Sequence, residues 1–184
     1  MQPAGGLRPP TLGTPHPHVE EYVDSNGFWE RIREWSHRSF ALAGVFDSPR
    51  DSLSSVLVGN ILATSAGDSS KLDASELRAG IPPAAEIIRW LHPRLVVTMD
   101  KRISKPLVEA LVADGMEISG SQRLEVPAKN QTYAFYRPHL WDLHGHGLRI
   151  RILEAPQHPT KRNFYESAVM DDFLAGHIKS LAAS

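Results

Sequence analysis

The chain has 184 residues, 41% hydrophobic and 22% charged, enough for one domain with a real core and too apolar to be disordered throughout. A net charge of −1 excludes a sequence-independent nucleic-acid coat protein, whose surface would be basic, so any nucleic-acid contact is expected to be a local basic patch. The lack of cysteine excludes disulfides, thiol nucleophiles and thiolate metal sites. No apolar run approaches the ~20 residues of a membrane span and no basic-then-apolar leader is present, so the expectation is a cytoplasmic protein with no membrane partner.

In chain order, residues 1–24 form a Pro/Gly-rich arm without periodicity, and residues 25–184 form the folded domain. Phe28, Ile32, Trp35 and Phe40 recur at helical spacing behind a Ser25 or Asn26 cap, which predicts a first helix over Phe28 to Phe40. Ser55 to Leu62 reads as a short buried strand that ends near a polar side chain, Asn60. After a polar turn at Asp68 to Lys71, Ser75 and Glu76 open a helical stretch that Pro82-Pro83 divides and Ala84 to Leu91 completes. Pro93 to Met99 is the clearest central strand, followed by a helix from Ser104 to Ala113 that ends near Gly115. Thr132 to Tyr136 and Leu148 to Leu153 supply two further strands, and Asn163 to Leu181 a last, core-facing helix. Strands separated by helices predict a three-layer α/β/α sandwich around a mainly parallel four-stranded sheet. There is no internal repeat.

The chemistry concentrates where the last strand ends. His158 falls in the loop leaving that strand, between Pro156 and Pro159, and open α/β sheets bind ligands at such exits. Lys161, Arg162 and Asn163 then open the next helix, whose free N–H groups already favour anions, so the segment suits a phosphate-bearing ligand. Taken alone, an asparagine at a strand end is a turn residue, and a His-Pro-Thr sequence is a capped strand exit. A second constellation, His139, His144 and His146 with Asp142 between, has the local spacing of a metal site, although Gly145 and Gly147 equally fit an exposed hairpin tip.

This order of pieces resembles the uracil-DNA glycosylase superfamily over about the last three-quarters of the chain. The pieces are Phe28-Trp29 on a helix, a strand ending in Asn60, Pro93 to Met99 followed by a helix, and His158-Pro159-Thr160 at the last strand exit. His158 to Asn163 is closest to the H-P-S-x-R-N loop of the single-strand-selective monofunctional branch, with Thr160 in the serine position and Lys161 in the variable one. The resemblance implies that Asn60 reads the base through an amide that both donates and accepts, and that His158 donates to uracil O2 as charge builds on the departing base. Lys161 and Arg162 would grip backbone phosphate, with Asn163 capping the helix or binding phosphate.

The first family motif departs from the pattern. Met1-Gln2-Pro3-Ala4-Gly5-Gly6 and Thr11-Leu12-Gly13-Thr14-Pro15-His16 are similar to that branch's M-N-P-G-P and T-G-V-P-F pieces, as though the chain began inside the loop. Gln2 then stands where an asparagine holds the attacking water. The aromatic that stacks on the base is open among His16, Phe28 and Phe46. The expectation is therefore a DNA glycosylase acting on uracil or a related base in base excision repair, with DNA as partner and no cofactor. Two alternatives stand beside it: an inactive nucleic-acid- or nucleotide-binding module on the same fold, and a metal-dependent hydrolase built on His139 to His146.

Overall fold

Leu95 to Thr98, at one edge of the described sheet rather than at its centre, forms strand β1 because the chain before it is made to stop being helical. His92 caps the preceding helix in the left-handed conformation, φ 53°, and Pro93 cannot continue a helix. The computed structural model describes residues 28–45, 73–127, 135–154 and 168–183. Helix α1 spans Phe28–Ala43. Helix α2, Ala74–Ala79, opens with a capping box in which the Asp73 carboxylate accepts from the Ser75 and Glu76 amides while Glu76 accepts from the Asp73 amide. Gly80 separates it from α3, Ile81–Leu91. Asp73 is the cap, and the expected division of this stretch falls at Gly80, with Pro82 and Pro83 in the first turn of α3, where a missing N–H costs nothing.

Beyond β1, helix α4 covers Lys101–Ala113, capped by Asp100. Strand β2 is Glu117–Arg123, β3 is Val126–Pro127 and β4 is Phe135–Tyr136. Strands β5, His139–Gly145, and β6, Leu148–Glu154, precede the last helix, α5, Ala168–Ala182. β3 and β4 pair with each other, so of the strand expected over Thr132 to Tyr136 only Phe135 and Tyr136 lie among the described residues, in this small ribbon. The strand expected over Ser55 to Leu62 lies outside the described residues.

Among the described residues the main sheet has four strands, in the order β1-β6-β5-β2. β1 runs parallel to β6, from Leu95 opposite Arg151 to Thr98 opposite Glu154. β5 is antiparallel to both its neighbours, pairing Leu140 with Leu153 on one side and His139 with Arg123 on the other. The sheet is therefore mixed, which corrects the mainly parallel expectation. The cause is local: His146 and Gly147 both take positive φ, 50° and 76°, as a two-residue type I′ hairpin requires, so β6 must fold straight back on β5. β1, β6 and β2 consequently point one way, and all three end at the edge where β5 begins.

Alternation along β5 and β6 sorts their side chains to two faces. Trp141, Leu143, Ile150 and Ile152 pack with Ile81, Ala85 and Ile88 of α3 and with Leu107, Val108 and Leu111 of α4. Leu140 and Leu153 turn the other way, against Leu174 of α5, with Leu95, Val97 and Phe173 around them. That second face also carries a polar clamp. Arg151 donates to both Asp142 oxygens at 2.7 and 3.2 Å and to Ser180 of α5 at 2.8 Å. α1 packs along α5, where Arg38 and Asp171 form an ion pair of 3.4 Å. No helix among the described residues is long and apolar enough to cross a membrane.

Candidate functional site

Strand exits of an α/β sheet leave backbone groups and loop side chains facing one crevice, which makes the edge shared by β1, β6 and β2 the place to look. Thr98, the last residue of β1, is buried, and its hydroxyl bonds the equally buried Ser104 hydroxyl of α4 at 2.8 Å. This ties the end of the strand to the first turns of the helix. Asp100 then bends the chain into α4: its carboxylate accepts from the Arg102 amide at 2.9 Å and takes the Arg102 guanidinium in a fork of 2.6 to 3.1 Å. Asp100 and Arg102 thus stiffen the β1 exit.

On the other side of β6 the edge holds a denser group. His139 begins β5, and its amide donates to Glu154 at 3.1 Å, where β6 ends. The imidazole of His139 lies flat on Trp141, ring centroids 4.0 Å apart and planes inclined by 17°. Its Nε2 shares a 2.8 Å hydrogen bond with Ser121 of β2, the residue opposite Trp141 in register. Arg123 faces His139 directly across the β2–β5 ladder and is exposed, with no carboxylate partner among the described residues. Burial of the imidazole, reinforced by the Arg123 charge and partly opposed by Glu154, holds His139 below the ordinary histidine value. At neutral pH it is an uncharged ring, fixed by a buried indole beneath it and a hydroxyl at its rim.

Of the residues singled out from sequence, Gln2, Asn60, His158, Lys161, Arg162 and Asn163 lie outside the described residues, as do His16 and Phe46. Phe28 is the first residue of α1. The histidine cluster is described in full, and it does not converge. His139 turns to Ser121, His144 to Glu117 at 3.4 Å, and His146 donates to the Asp114 carbonyl at 2.9 Å. Among the described residues no three His, Asp or Glu side chains come together as ligands. The alternation of a strand explains this: 139 and 144 point to opposite faces, and 146 sits in the turn. The segment read as an exposed hairpin tip is a strand up to Gly145, with only His146 and Gly147 in the turn itself.

Sequence reasoning missed Ser121 and Arg123 altogether. Their partner lies well along the chain, and β2 alternates too weakly to announce a strand. The one available signal was His139-x-Trp141, two rings at strand spacing. Among protein-family models, curated proteins and solved structures, none matches the chain.

Proposed function

We propose that the chain is a uracil-DNA glycosylase-like hydrolase with a three-layer α/β/α core, acting on a base extruded from single-stranded DNA. The observation that supports this reading is the parallel β1–β6 pair. Glu154 closes β6 beside Thr98 at the exit of β1, so β6 ends, four residues before His158 in the sequence, at the edge on which such sheets bind ligands. In the proposed reaction the bond from the sugar C1′ to the base nitrogen breaks with its electron pair leaving on the base. Asn60 holds the base edge, His158 donates to the oxygen that gains charge, and water adds to C1′ and gives up a proton. Lys161, Arg162 and Asn163 position the backbone, and Gln2 stands at the water.

A second reading, recognition without hydrolysis, is favoured by one feature. Gln2 is a longer side chain than the asparagine it replaces in the resemblance, and a longer side chain would hold the water poorly. One assay separates the two: excision from a single-stranded oligonucleotide carrying one uracil, with wild type beside Asn60→Ala and His158→Ala. Cleavage abolished by both substitutions supports the enzyme. His158→Ala should lower the rate far more than the DNA affinity. An oligonucleotide that is bound but never cleaved by wild type supports the binding module.

A further inference from the structure

We propose that His139 and Arg123, steadied by Trp141 and Ser121, form a subsite for a nucleotide flanking the extruded one, the base on the imidazole and its phosphate on the guanidinium. The proposal rests on the glycosylase reading only for its choice of single-stranded DNA as partner. The geometry itself comes from β2 and β5.

Three observations carry it. First, the indole of Trp141, 6% exposed, backs one face of the His139 ring, and His139 itself is partly exposed. A flat ring held from behind and still partly open to solvent is what unstacked bases use as a platform. Second, the Ser121 bond at 2.8 Å pins the ring against rotation, so little order need be lost on binding. Third, Arg123 stands directly opposite His139, at the ~5 Å of a cross-strand pair, as an exposed cation without a carboxylate partner among the described residues. Glu154 lies on the β6 side of His139 and accepts the His139 amide, while Glu125, just past Arg123 on the β2 side, is paired with Arg137 at 3.2 Å. The anion-seeking side is therefore the β2 side, and a strand whose extruded base enters near β6 would carry its neighbour across β5 toward β2.

The test is fluorescence anisotropy of a short fluorescein-labelled single-stranded oligodeoxynucleotide without uracil, so that base reading plays no part. Arg123→Ala should weaken binding about tenfold and reduce the salt slope by about 0.7. His139→Ala should also weaken it about tenfold, and His139→Phe, which keeps a stacking ring, should restore most of the loss. Thermal unfolding of each variant shows that it is folded. Arg123→Glu, an exposed change that leaves the core untouched, should bind more weakly still. Arg123→Ala and His139→Ala binding like wild type, or wild type not binding at all, would overturn the subsite. If the losses occur but wild type never excises uracil, the glycosylase reading fails and the subsite stands. If uracil is excised while the variants bind like wild type, the subsite fails and that reading stands.

Discussion

Arg151 shows how much one side chain can organise here. Its guanidinium joins Asp142 on the neighbouring strand to Ser180 on α5, and at 3.4 Å it also faces Nδ1 of His177. Arginine always donates, so this contact requires Nδ1 to be the unprotonated nitrogen and His177 to be neutral. Replacing Arg151 with alanine strips Asp142 and α5 of these partners, and urea unfolding should show a loss of about 2 kcal/mol. The pH dependence follows from His177. Burial, then the Arg151 charge, holds it below the ordinary histidine value, against a smaller opposing effect of Asp142. Below about pH 6.5 the unfolded chain takes up a proton that the folded chain refuses, so stability present at neutral pH is lost as pH falls toward the folded value. His139 shifts the same way and Asp171, raised chiefly by burial, the opposite way, so the His177 share needs its own variant. His177→Gln should lose less stability than wild type between roughly pH 7.5 and 5.5. An equal loss in both proteins would remove His177 from this role.

At the scale of elements, what the sequence made legible follows from how each element is buried. β1, β6 and the two long terminal helices carry apolar runs or helical periods, and they stand close to where those patterns predict. β2 is hidden because, among the described residues, it is an edge strand exposed along nearly its whole length, Glu-Ile-Ser-Gly-Ser-Gln-Arg, with no alternation to read and a bulge between Ile118 and Gly120. β5 is hidden for the opposite reason: Leu140, Trp141 and Leu143 are buried on both faces, so the strand shows no period of two. The candidate site divides in the same way. His158 was singled out from order alone and lies outside the described residues, whereas the Ser121–His139–Arg123 group exists only once β2 and β5 pair. That pairing is set partly by Gly145, where an added Cβ would lie 3.0 Å from both the Gly115 carbonyl oxygen and the Met116 Cα, backbone atoms that cannot swing away. Gly145→Ala should therefore destabilise the fold by about 1–3 kcal/mol in urea unfolding. Gly176, within α5 and with open space around it, is the counterpart: Gly176→Ala should stabilise by roughly 0.5–1 kcal/mol. Similar effects at both positions would argue that β5 does not press on the connection between α4 and β2.

For the whole molecule the governing number is its charge. With 20 Lys and Arg against 21 Asp and Glu, the protein has no long-range field to draw DNA onto its surface, so affinity must come from a few placed cations and from contacts with bases. The proposed set is small: Lys161 and Arg162 beside the extruded nucleotide and Arg123 at its neighbour. Each neutralised phosphate on a single strand contributes roughly −0.7 to the slope of log affinity against log salt, so three contacts predict a slope of about −2. Stacking and base-edge hydrogen bonds release no counterions and add nothing to that slope, so substantial binding should survive at salt concentrations that strip a basic coat protein from DNA. Titrations of a uracil-containing single strand at several salt concentrations measure this directly. A slope near −2 that falls toward −1 in the Lys161→Ala, Arg162→Ala double variant supports a short, local grip on the backbone. A slope several times steeper would mean that the strand crosses much more of the surface than the β1–β6–β2 edge, and one near zero would mean that these cations do not meet phosphate.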